Sequence, residues 1–123
     1  MQPVRLDAYI RFDEAGPSVH PIADSGHARW MTVCLKAGQM LKDHRSPSQV
    51  AAFVLKGDAI LYVDGVPQEA SEGSLHMVEP GRSHRILARQ ESVLLVAMTP
   101  HPSGDGYPKD QRDRILLRPA PAP

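Results

Sequence analysis

The chain has 123 residues, of which 41% are hydrophobic and 23% charged, a size and mix that suit one folded domain rather than a disordered segment. Lysine plus arginine equals aspartate plus glutamate, 14 against 14, so no net field draws nucleic acid or anionic lipid. No apolar run approaches the roughly 20 residues needed to span a bilayer.

Residues 1–27 read as an N-terminal strand and a surface loop. The first twelve residues carry Arg5, Asp7 and Arg11 and lack the apolar stretch of a secretory signal, so a cytoplasmic setting is the expectation. Asp13–Gly26, rich in Gly, Pro, Ser and Asp, reads as a crossing over the surface. Short apolar runs then follow one another: Ala28–Leu35, Val50–Leu55, Ala59–Val63, Ser74–Val78, Arg85–Ala88 and Val93–Met98, with Ile115–Leu117 as a late edge strand. Lys56-Gly57-Asp58 and Asp64-Gly65 are tight-turn signals between them. Turns recurring about every ten residues, with no long helical periodicity, predict an all-β sandwich or barrel over residues 28–100. Residues 101–123 form an extension that ends in a Pro-rich tail, for which an extended, poorly ordered segment is expected. The single cysteine, Cys34, has no partner for an intramolecular disulfide and reads as a buried, inert thiol.

Gly38 is followed after five residues by His44-Arg45-Ser46, and Phe53-Val54-Leu55-Lys56-Gly57 supplies an aromatic-Val-Leu-x-Gly turn. From Gly73 the chain runs through Pro80-Gly81 to His84. Over this stretch, a little under half the chain, it resembles the cupin superfamily, whose motifs read G-x5-H-x-H-x3/4-E-x6-G and G-x5-P-x-G-x2-H-x3-N. The resemblance implies a single-domain jelly-roll β-barrel with His44 and His84 facing each other across the lumen. It also implies one divalent metal ion, Zn, Fe, Mn or Ni, among imidazoles and a carboxylate. The chain departs from that pattern at Ser46, where the second histidine stands, and at Val50, where the acidic ligand stands. Glu79 and Ala88 replace the motif's proline and asparagine. Gln49 is the nearest substitute ligand, provided that a bulge turns its amide inward. His44, His84 and Gln49 are thus the candidate metal ligands, and Ser46, Val50, Ala52 and Arg82 the candidate pocket residues.

Other side chains carry competing readings. His76 reads as an exterior or interface histidine more readily than as a support for His84. Arg45 should point away from His44, whereas Arg82 could clamp a carboxylate at the barrel mouth. Both faces of Val50–Leu55 are apolar, which predicts a strand buried on both sides beside an apolar lumen. No residue is singled out as catalytic. The functional expectation is a small-molecule-binding protein, either a metal-dependent oxygenase or isomerase with an atypical two-histidine site, or a metal-free, non-catalytic binding module. A homodimer is the expected assembly, joined through the N-terminal strand and the Ala28–Leu35 run.

Overall fold

The computed structural model describes residues 2–123; Met1, at the head of the expected N-terminal segment, lies outside the described residues. Ten strands follow in chain order: β1 Ser18–Asp24, β2 Arg29–Leu35, β3 Met40–His44, β4 Gln49–Lys56, β5 Asp58–Val63, β6 Val66–Ser71, β7 Leu75–Val78, β8 His84–Ala88, β9 Ser92–Thr99 and β10 Leu116–Leu117. They form two antiparallel sheets, one of six strands in the order β10-β1-β2-β9-β4-β7 and one of four in the order β3-β8-β5-β6. No ladder joins the two sheets among the described residues, so the architecture is a two-sheet roll rather than a closed barrel. No helix is long and apolar enough to cross a membrane among those residues.

Alternation along the strands builds the core. Met31, Val33 and Leu35 of β2, Val50, Ala52 and Val54 of β4, and Leu94 and Val96 of β9 face Leu61 and Ile86 of the smaller sheet. Each fully buried leucine contributes about 1.5–3 kcal/mol. The β4–β5 turn needs glycine at position 57, where φ is +99° and a Cβ would run into the Glu91 carbonyl. Cys34 is fully buried, and its burial pushes the thiol above its ordinary pKa.

Several expectations need correction. The first residues form a 3-10 turn, Leu6–Tyr9, rather than a strand, and the Thr32 hydroxyl of β2 donates to the Tyr9 carbonyl. Half of Asp13–Gly26 is β1 rather than loop; Pro21, which lacks an N–H, sits where β1 bulges against β2. Strands β3 and β6 also went unread, because both are edge strands whose residues are mostly exposed and polar. The C-terminal tail is tied down: β10 pairs with β1, Arg118 N–H donates to the Ile22 carbonyl, and the Arg11 side chain donates to the Ala122 carbonyl. Finally, β4 is buried on one side only; Phe53 on its outer face is 37% exposed.

Candidate functional site

A cavity of about 520 Å³ opens between the sheets, within the range of small-molecule sites. Its wall is aliphatic and sulfur-bearing: Val50 and Ala52 come from β4, Leu61 from β5, Ile86 from β8, and Met31 and Met98 from β2 and β9. His44 and His84 also line it, with Lys42 and Asp43 beside them in the chain.

The meeting of the two histidines depends on a local irregularity. Leu41 of β3 packs on the core, so simple alternation would send His44, three residues later, to the outer face. Between Leu41 and His44 the ladder with β8 shifts register, Leu41 pairing with Ile86 but His44 with His84. The extra residue restores His44 to the inner face, directly opposite His84. The ring centroids lie 4.0 Å apart at an interplanar angle of 61°. His84 is buried, whereas His44 is exposed at the rim.

Both rings are held in the same way. Nδ1 of His44 lies 2.8 Å from the Lys42 carbonyl, and Nδ1 of His84 lies 3.2 Å from the Arg82 carbonyl. A carbonyl only accepts, so each Nδ1 carries the proton and each neutral ring keeps a bare Nε2. Burial pushes His84 below the ordinary histidine pKa and the Arg82 carbonyl pulls it back; His44 lowers it further and Asp43 opposes.

The other expected residues are placed as follows. Val50 and Ala52 line the cavity. Ser46 is buried outside the cavity lining, its hydroxyl accepting from Ser48 N–H while its carbonyl accepts from Gly81 N–H. Gln49 is exposed opposite Thr99; the only register shift of β4 against β9 falls between Val54 and Lys56, so nothing turns Gln49 inward and it leaves the ligand set. Arg82 lies outside the cavity, bonded to Asp64 at 2.8 Å and within 3.8 Å of Glu79. That pairing also holds the Asp64 carboxyl below its usual range. Arg45 donates to the Gly81 carbonyl. His76, read as exterior, instead shares the inner side of β7 with Val78 and bonds Ser74 and Gln68. Sequence reasoning missed Met31, Leu61, Ile86 and Met98 as cavity residues; their inward alternation was the available signal.

A resident metal ion does not fit this donor set. The two oriented Nε2 atoms are ligand-like, but stable sites take three or four protein donors. Val50 has none to offer, Ser46 is turned away, and Asp43 is engaged by Ser83 and Arg85. No group of three His, Cys, Asp or Glu side chains able to hold a metal occurs among the described residues.

Residues 31–99 match the family described as Cupin domain. The fold is similar to that of an RmlC-like cupin protein from Desulfovibrio desulfuricans, with a TM-score of 0.76 and 23% identity over 82% of this chain and 98% of that one. It is also similar to the protein TT1209 from Thermus thermophilus, with a TM-score of 0.77 and 21% identity over 83% and 100%. A salicylate 1,2-dioxygenase from Pseudoaminobacter salicylatoxidans shares it at a TM-score of 0.66 and 13% identity, over 70% of this chain and 27% of the enzyme. No curated protein matches the chain by sequence.

Proposed function

From the premise that this chain belongs to the cupin family, we propose that it binds a small, largely apolar organic molecule between its two sheets, without a resident metal ion. The observation that carries the reading is the cavity itself: a mostly aliphatic chamber whose polar lining is the His44–His84 pair with Lys42 and Asp43 beside His44. Apolar area sets the affinity of such sites and a few polar groups set the orientation. A metal-dependent oxygenase, the activity that the likeness to salicylate 1,2-dioxygenase suggests, needs donors that this wall lacks at Val50 and Ser46.

Methionine methyl groups give the test. Met31, Met40 and Met98 line the cavity, whereas Met77 lies on the outer face of β7 and does not. In protein labelled with 13C at the methionine methyls, 2-methylnaphthalene should shift the first three resonances saturably and leave Met77 unmoved. Shifts confined to Met77, or none at all, would overturn the reading.

We further infer that a second copy of the chain covers the outer face of the six-stranded sheet. Register places Trp30, Ala97, Ala51 and Met77 in one cross-strand row and Thr32, Leu95, Phe53 and Leu75 in the next, with no charge in either. Trp30, Phe53, Leu75 and Met77 are exposed by 44%, 37%, 61% and 52%. Together they offer apolar area on the order of 400 Å², about what the apolar part of an 800 Å² half-interface requires. An uncharged patch is self-complementary across a two-fold axis. Sedimentation should give twice the 13.5 kDa chain mass, and Phe53→Asp should halve it. A wild-type monomer at every concentration removes this inference.

A further inference from the structure

We propose that the ligand's polar end is a hydrogen-bond donor, a hydroxyl or a neutral N–H, received by Nε2 of His44 and His84. The inference rests on the cavity being a small-molecule site and goes further by naming the chemistry of the group that the site selects.

Each Nδ1 is committed as a donor to a backbone carbonyl two residues upstream. Each neutral ring in the cavity lining therefore keeps a lone pair, not an N–H, on its remaining nitrogen. The rings belong to directly paired residues and their centroids are 4.0 Å apart, so the two acceptors lie close together in the cavity lining. No protein group among the described residues donates to either Nε2: Val50, Leu61, Ile86 and Met98 have no side-chain donor, and the ammonium of Lys42, which also lines the cavity, bonds neither ring. Water can serve these acceptors while the cavity is open, but a ligand that displaces it without bringing a donor leaves the acceptor of the buried His84 unmet, at a cost of about 1–3 kcal/mol.

The ligand classes then separate. A carboxylate or phosphate would bring oxygen lone pairs against nitrogen lone pairs. Arg82 is paired with Asp64 and Arg45 with the Gly81 carbonyl, which leaves Lys42 in the lining, exposed to water and next to the Asp43 carboxylate, whose charge opposes an anion. An ether or ketone would leave both nitrogens unmet. A hydroxyl satisfies one Nε2 directly, and its own oxygen remains free to accept from water. Burial of His84, which disfavours its charged form, keeps the acceptor state in place at neutral pH.

Three molecules of one shape test this at pH 7: 2-naphthol, 2-methoxynaphthalene and 2-naphthoate, each titrated while following the Met31 and Met98 methyls. The naphthol should bind at least about tenfold more tightly than the ether, because a site built for a donor rejects analogues lacking it. The naphthoate should bind more weakly than the naphthol. In His44→Phe and His84→Phe proteins the preference should shrink while the ether still binds. Equal affinity for naphthol and ether, or tighter binding of naphthoate, overturns the proposal. Long-range 1H–15N spectra of the wild type supply a check that needs no variant: both Nε2 atoms must be unprotonated, and a proton on either contradicts the assignment. If none of the three molecules moves the Met31 and Met98 methyls, the cavity reading fails, and this inference falls with it.

Discussion

Two places in the molecule set histidine against an inward-facing strand position, and they differ in one respect. His76 on β7 has a protein partner for each ring nitrogen, Ser74 at 2.8 Å and the Gln68 side chain at 3.1 Å, and so ties β7 to β6 of the facing sheet. His44 and His84 have a partner for one nitrogen each and keep the other bare in the cavity lining. A saturated histidine is explained by the fold; a pair left half-satisfied at the wall of a chamber is not. Counting partners atom by atom therefore separates a structural imidazole from a site, where an inward-facing strand position alone would group His76 with His84.

The contrast is broken most forcefully by completing the pair. Val50 lines the same cavity and stands where the cupin motif carries its acidic ligand. Val50→Glu adds the missing charged donor beside two oriented imidazoles, taking the site from two protein ligands to three. The expected outcome is a gain of more than about a hundredfold in affinity for zinc or manganese, read by titration against a metal-sensitive dye. A Val50→Glu protein that folds, by circular dichroism, yet binds metal no better than the wild type would show that the two Nε2 atoms do not converge.

A smaller effect separates the two settings by stability. His76→Ala leaves the Ser74 and Gln68 groups without their partner and should cost about 1–3 kcal/mol, seen as a lowered denaturant midpoint. His84→Phe removes one bond to the Arg82 carbonyl but also an unmet acceptor, and places an apolar ring in an apolar wall. Its cost should stay below about 1 kcal/mol. Ligand binding should show the reverse order, intact in His76→Ala and impaired in His84→Phe. If His84→Phe proves the more destabilising of the two, that histidine is part of the frame.

How much of this was legible beforehand follows from which forces write themselves into sequence. The central strands β2, β4 and β9 were readable because they must be apolar to be buried, and the Asp64-Gly65 turn because its backbone needs positive φ. Edge strands β3 and β6 obey no such rule, since their exposed polar residues are what protects an edge. The identities of His44 and His84 were visible through spacing. Their mutual geometry was not, for it depends on a bulge at Lys42–Asp43 inside a strand that sequence did not announce. His76 was misplaced because Leu75 and Met77, the more hydrophobic neighbours, face outward onto the uncovered side of the sheet. Hydrophobicity indicated the inner face only where the outer face was polar, and on this sheet it is not.

The smallest effect sharpens the comparison by titration. Burial lowers the pKa of both His76 and His84 in the folded chain, whereas in the unfolded chain each titrates near 6.5. Between the lowered value and about 6.5, the unfolded state binds more protons than the folded one, so stability falls as pH drops through that window and levels off above about pH 7. Between pH 7 and 6 one such histidine can account for under about 0.7 kcal/mol. Asp7 and Asp64, whose carboxyls are held low by Arg5 and Arg82, act in the same direction but only near or below the ordinary carboxylate pKa of about 4, outside that window. Denaturant titrations at pH 7 and 6 should therefore show a smaller pH-dependent loss for His84→Phe, and for His76→Ala, than for the wild type. Here the two settings act alike, because desolvation penalises charge whether or not the nitrogens have partners. Saturating 2-naphthol should part them: a ligand that needs a bare Nε2 binds only the neutral pair, so it should steepen the wild-type loss and leave the His84→Phe loss nearly unchanged. An identical pH dependence with and without the naphthol would mean that the bound molecule does not reach His84.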